Sequence, residues 1–215
     1  MRHITLLILL VLPLTLIARQ KTDDQKYLLG AVPEQDGLVT FQKSFTVTDK
    51  DSQLIHDIVY AYIADSIAAK SIQGNYSRIS PKSEQAIVAR VEEYMVFQKA
   101  FLSLDRTRFR FLLNAEIDGK KVSLTLTQIS YYYNEDMEGK NGVTYRAEEW
   151  ITDAQAVNKA GTKLYPRSGK FRRKTVDRAE AIFGDIMDAI ANYEAAPAQT
   201  EAAPAAPVRK GIIED

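Results

Sequence analysis

Between Arg108 and Leu126 the chain alternates apolar and polar residues on both sides of one Asp118-Gly119 step. Phe109, Phe111, Leu113, Ala115 and Ile117 share a phase, and Val122, Leu124 and Leu126 continue it on the return. Side chains of a strand point to opposite faces in turn, so this pattern fits a half-buried antiparallel hairpin and not a helix. Asp-Gly suits the tight loop of such a hairpin, because its central positions favour a left-handed backbone. The remainder of the chain must then cover one face of a sheet.

Two segments have the period to do so. Leu54, Ile55, Ile58, Val59, Tyr62, Ile63 and Ile67 fall at helical spacing and predict a helix over 51–71. A capping-box-like Thr48/Asp51 pair opens it and Gly74 offers a stop. Ala179, Ile182, Phe183, Ile186, Met187, Ile190 and Ala191 form a second stripe, with Thr175 as the expected cap and Gly184 off the stripe. Leu38 to Val47 alternates as a further strand. Gln85 to Phe97 also alternates, but Tyr94 and Val96 are out of phase with Ile87, Ala89 and Val91. Either a bulge at Glu92-Glu93 resets the register or a helix lies there, and the β-branched and aromatic content favours the strand. Asn134 to Thr144 and Asn158 to Lys170 read as loops, and Ala147 to Val157 as a short helix around Trp150. The order strand, helix, strands, helix predicts an α+β fold: an antiparallel sheet with two long helices packed on one face. The other face would be open to solvent or a partner.

The flanks carry different information. Arg2 and His3 precede an apolar run of fifteen residues, Ile4 to Ala18, followed by Arg19-Gln20-Lys21. This is the layout of a secretory signal peptide over 1–20, so the product is expected in the periplasm or outside the cell. The run is short of the roughly 20 apolar residues a spanning helix needs, and Pro13 interrupts it. A retained anchor is the alternative; cleavage would leave no stable membrane insertion. A single domain is expected over 27–193. Residues 194–215 place Pro197, Pro204 and Pro207 among alanines, which reads as a disordered spacer ending in the apolar-acidic Gly211–Asp215.

Composition restricts the chemistry. The 215 residues include no cysteine, which removes thiol nucleophiles, cysteine–zinc sites and lipid attachment to cysteine. Lys and Arg number 28 against 28 Asp and Glu, without the basic excess of a duplex binder, so no nucleic-acid partner is expected. His56 is the only histidine beyond the leader, beside an apolar helical stripe, where a boundary residue is the ordinary reading. Neither a Gly-x-Ser-x-Gly elbow nor an EF-hand spacing is present. No catalytic residue, metal site or cofactor is expected.

Several stretches taken in order resemble a family of exported Bacteroides-type domains of unknown function with a TATA-binding-protein-like (TBP-like) fold. They are Tyr27-Leu28-Leu29-Gly30-Ala31-Val32-Pro33 with Gly37-Leu38-Val39-Thr40-Phe41, and Gly119-Lys120-Lys121 leading to Ile129-Ser130-Tyr131-Tyr132-Tyr133. Glu148-Glu149-Trp150-Ile151-Thr152-Asp153 and Gly169-Lys170-Phe171-Arg172-Arg173-Lys174-Thr175-Val176-Asp177 follow. The resemblance implies the strand-helix-strands-helix fold and carries over no catalytic residue. A fold does not confer a function.

Two clusters are candidate binding features. Arg172 and Arg173 lead a basic group with Arg167, Lys170, Lys174 and Arg178, which is a solvated flank, a set of partners for the acidic residues nearby, or an anion or carboxylate grip. Leu112, Ile129, Tyr131 and Tyr133 would form a sticky patch on the open face if the strand after Leu124 keeps its phase. A register shift near Gln128 would instead tuck those rings into the core, and both placements are open. These features favour a non-catalytic binding or assembly domain of the cell envelope, with an envelope protein, peptide or glycan as partner. The alternative is a hydrolase of envelope glycans or peptides using carboxylates such as Glu148-Glu149 or Glu92-Glu93. Adjacent acids on a strand point to opposite faces, which fits poorly with a paired mechanism.

Overall fold

A computed structural model describes residues 24–72, 78–83, 85–100, 103–133 and 141–194. The expected signal peptide over 1–20, Gly74 and the tail from residue 195 onward lie outside the described residues.

Among the described residues six strands form one antiparallel sheet. They are β3 (Phe41–Thr46), β4 (Arg78–Ser83), β5 (Ala86–Ala100), β6 (Ser103–Asp118), β7 (Lys121–Tyr133) and β8 (Val143–Arg146). Their order is β3-β7-β6-β5-β4, and β8 also pairs with β7. The first half of β7 takes β3 as its outer neighbour and the second half takes β8. A small separate hairpin, β1 (Glu34–Gln35) and β2 (Leu38–Val39), turns at Asp36-Gly37, both with positive φ. The Asp118-Gly119 hairpin forms as read: Asp118 pairs with Lys121, and Gly119 takes φ 59°.

Helices α1 (Ser52–Tyr62) and α3 (Pro166–Ala191) cover one face of the sheet, with the short α2 (Asp153–Ala156) beside α3. The α1 stripe buries Ile55, Ile58 and Val59, and the helix continues through a π turn at Ile63–Ile67 and a 3-10 turn to Lys70. Its cap is Asp51 alone, which accepts the Leu54 N–H at 2.8 Å. Thr48 plays no part, so the expected two-residue box reduces to one side chain. The second long helix begins nine residues before Thr175, at Pro166, where a missing N–H costs nothing. Gly169 lies so close to Leu164 that an added Cβ would meet its Cβ at 2.8 Å. The loop expected over Asn158 to Lys170 holds as far as Tyr165, its last five residues are the tightly packed start of α3, and Thr175 is a buried mid-helix residue. Of the loop expected over Asn134 to Thr144, residues 134–140 lie outside the described residues, and Val143 and Thr144 open β8.

One core joins both helices to the sheet's inner phase. Tyr62 ties α1 to α3 through its hydroxyl, which donates to Asp185 at 3.0 Å. Burial, helped by that bond and the Asp185 charge, pushes the Tyr62 phenol up to about 12. An unfolded tyrosine titrates near about 10, so the folded chain holds this proton through the intervening range. That part of the stability is intact below about pH 10 and falls away as pH approaches about 12. Tyr62→Phe is expected to show a shallower decline across that window in denaturant titrations.

Candidate functional site

Strand β7 changes phase in its middle, and that change decides which surface is available. Leu112 of β6 pairs with Thr127 and Arg110 with Ser130, so two β7 residues, Gln128 and Ile129, stand opposite Phe111 alone. Gln128 adopts φ 52°, a left-handed backbone rare for a residue with a Cβ. This is a β-bulge, and everything after it has its faces exchanged. Before it Val122, Leu124 and Leu126 point inward; after it Ile129 and Tyr131 do.

The open-face patch considered at Leu112, Ile129, Tyr131 and Tyr133 is thereby dissolved, and the alternative, a register shift near Gln128 that tucks the rings inward, is the placement found. Ile129 is buried and Tyr131 is 0% exposed, stacked on Phe109 and edge-on to Phe171. The Tyr131 hydroxyl lies 2.7 Å from Thr175 Oγ1, and burial drives its phenol far above the ordinary tyrosine range. Tyr133, half-buried, donates to Asp105 at 2.8 Å and accepts from Lys170 at 2.7 Å. Of the four, Leu112 alone stays on the open face, half-buried.

In the basic cluster, Lys170, Arg172, Arg173 and Arg178 are partners of nearby acids, as the alternative to an anion grip had it, while Arg167 and Lys174 are exposed. Arg172 is 0% exposed and donates to the carbonyls of Tyr27 at 2.6 Å, Leu28 at 2.6 Å and Ile151 at 2.7 Å, and to Asp153 at 2.5 Å. It fixes the N-terminal segment and the 147–157 region to α3. Arg173 is paired with Asp24 at 2.7 Å, Lys170 with Asp105 at 2.6 Å and Arg178 with Glu93 at 2.6 Å. On Arg178 burial opposes the charge, but the Glu93 hydrogen bond and charge outweigh it and raise its pKa.

What remains accessible is the sheet face turned away from the helices. Register from Ala86 to Val96 against β6 is continuous, and the irregularity lies between Val96 and Gln98. No bulge occurs at Glu92-Glu93. Tyr94 and Val96 therefore stay out of phase with Val91 and lie on the open face, 39% and 38% exposed. Arg106 stacks on the Tyr94 ring with its guanidinium carbon 4.0 Å from the centroid, and Leu104, 50% exposed, continues the surface. Across the middle run Arg108 and Arg110, each within 6 Å of the Tyr132 ring centroid. Glu92, 2% exposed, accepts from Arg110 Nε at 2.7 Å and lies 4.0 Å from Arg108 Nη1. Gly142 approaches Tyr132 so closely that a Cβ there would overlap the ring. This arginine–tyrosine face was not among the expected sites, although the phase of Tyr94 and Val96 held its signal.

Three of the four carboxylates considered for hydrolysis are held in structural bonds. Glu92 and Glu93 take opposite faces, with Arg110 and Arg178 respectively. Glu148 accepts the Val39 N–H at 2.9 Å and an ion pair from Arg146 at 3.4 Å, while Glu149 is exposed. Among the described residues no group of three or more potential metal ligands occurs, and no helix is long and apolar enough to cross a membrane.

Comparison with known proteins gives a consistent family and no activity. Residues 41–132 match the model of a domain of unknown function (DUF4468) with TBP-like fold. A crystal structure of a DUF4468 family protein from Bacteroides ovatus is 36% identical, covering 82% of this chain and 100% of that one, with a TM-score of 0.72. A TBP-like protein from Parabacteroides distasonis shares the fold at 16% identity, with a TM-score of 0.60 over 76% of this chain and 99% of that one. No curated protein matches the chain. The resemblance read from the four sequence stretches is thus borne out, and the chain belongs to the DUF4468 family with its TBP-like fold.

Proposed function

We propose that the chain is an exported, non-catalytic binding or assembly domain of the cell envelope, and that its contact surface is the open face of the sheet. The observation that carries this reading is the arginine–tyrosine surface of Tyr94, Arg106, Arg108, Arg110 and Tyr132, edged by Val96 and Leu104. Tyrosine and arginine are enriched where proteins make energetically important contacts, since each combines a large contact area with directional polar groups. A partner is an envelope protein, peptide or glycan. Export rests on the 1–20 leader pattern, and the absence of catalysis on the engagement of Glu92, Glu93 and Glu148 in structural bonds.

Both faces can be compared in one experiment. A Tyr94→Ala/Arg106→Ala double variant is expected to lose a partner captured from native envelope extract by the wild-type protein. Lys174→Ala, on the exposed side of α3, is expected to keep it, and both variants should melt within a few degrees of wild type. Equal capture by the two variants would contradict the reading.

A further inference from the structure

The bulge that buries Tyr131 also opens a hole on the other side of the sheet. On β5 and β6 the open-face residues form regular rows: Arg90 opposite Leu112, and Glu92 opposite Arg110. On β7 the same rows end at Thr127 and Ser130, three positions apart where an unbroken strand has two. The extra residue spreads the rows, and a cavity of about 210 Å³ lies at the gap, lined by Arg90, Arg110, Phe111, Leu112, Gln128 and Ser130.

Three features give this notch a chemistry. Arg90 is exposed, and among the described residues it has no hydrogen-bond or ion-pair partner. The neighbouring carboxylate does not neutralise it, because Glu92 is nearly buried and committed to Arg110 and Arg108. Gln128, exposed at φ 52°, holds a backbone conformation of the kind that collects at ligand sites, where the surrounding structure imposes it. The volume is below the roughly 300–1,000 Å³ of pockets for drug-sized ligands, so one small group fits rather than a whole metabolite.

We infer that the notch is a carboxylate subsite, taking an acidic side chain or terminal carboxylate of a peptide partner. Arg90 supplies the planar fork that matches two carboxylate oxygens. The Gln128 amide and Ser130 hydroxyl are further donors in the lining, and Leu112 is the apolar wall against the ligand's methylene groups. Phosphate fits less well. The notch offers it no helix N-terminus, and phosphate brings no methylene group to lie against Leu112. The inference rests on the open face being the contact surface, and specifies which ligand group that face takes.

The test follows the Arg90 Nε–Hε resonance of the full-length protein by NMR, at constant ionic strength, during titration with N-acetylglutamate or inorganic phosphate. N-acetylglutamate is expected to move the Arg90 signal and the Leu112 methyls along a saturating curve. Arg90→Gln, an exposed change that should leave the melting temperature unaltered, is expected to weaken this roughly tenfold or more. Phosphate is expected to give weaker, non-saturating shifts. Linear shifts with N-acetylglutamate, an unchanged curve in Arg90→Gln, or tighter saturation by phosphate would each overturn the carboxylate assignment. If that happens while Tyr94→Ala/Arg106→Ala still loses its partner, the notch fails and the open-face reading survives. If the double variant also keeps its partner, both fall.

Discussion

Arg172→Ala is expected to lower stability by about 3–5 kcal/mol, the cost of breaking a buried, fully bonded charge network by removing one member. The guanidinium is 0% exposed and answers three backbone carbonyls and the Asp153 carboxylate, each within 2.7 Å. Its removal leaves those acceptors without their donor and a cavity among Tyr27, Leu28 and Ile151. In a domain of this size, each kcal/mol corresponds to roughly 2–4 °C in melting temperature, so a drop on the order of 10 °C is expected. Arg172→Lys keeps the charge but not the fork, and one ammonium cannot satisfy acceptors on Tyr27, Leu28, Ile151 and Asp153 together. It should recover only part of the loss. Hydrogen exchange should localise the damage: amides in 24–33, held to α3 through Arg172 and the Lys26–Asp177 and Arg173–Asp24 pairs, are expected to open first. A melting temperature within about 2 °C of wild type would show that the clamp is dispensable.

Tyr131→Ala is the second large effect, expected at about 3–5 kcal/mol from the transfer and cavity terms of deleting a buried aromatic ring. The ring contacts Phe109 and Phe171, with centroids 5.8 and 5.0 Å away, in the centre of the sheet–helix interface. Tyr131→Phe should cost only about 1 kcal/mol. It removes one hydroxyl, while Thr175 keeps its bond to the Phe171 carbonyl at 2.9 Å. Leu112→Ala, half-buried on the other face, is the control and should cost less than the ring deletion by a wide margin. Urea titrations of the three variants measure these differences directly. A stable Tyr131→Ala protein would mean that the faces of β7 do not exchange at Gln128 and that the ring is a surface group.

The elements legible in the sequence were those whose periodicity had a single interpretation. The Arg108–Leu126 hairpin and the α1 stripe follow from alternation and from helical spacing, and both form where they were expected. The face of the later β7 residues was not legible. In Thr127-Gln128-Ile129-Ser130-Tyr131-Tyr132-Tyr133 each phase presents aromatic residues, and glutamine gives no local sign of a left-handed turn. Long-range pairing with β6 and β8 imposes it.

The burial of Arg172 was also not legible, for a different reason. Arg172-Arg173-Lys174 reads as solvent-facing only if the helix begins at Thr175. Extending the buried stripe of Val176 and Ala179 backward by helical steps places Arg172 on the inner face with Phe171 and Ser168. Pro166 was the available signal for that earlier start. Conversely, Tyr94 and Val96 seemed to need a bulge because strands are expected to hide their large residues. The continuous register shows that they do not, and it is this exposure that identifies the open face.

Site-specific photo-cross-linking in cells that produce the protein tests the open-face claim most directly. A photoreactive phenylalanine analogue is placed at Tyr94 on the open face, or at Lys174 on the outer side of α3. A discrete covalent adduct from position 94 and none from 174 is the expected result. An adduct from 174 alone, or from neither position, would contradict it.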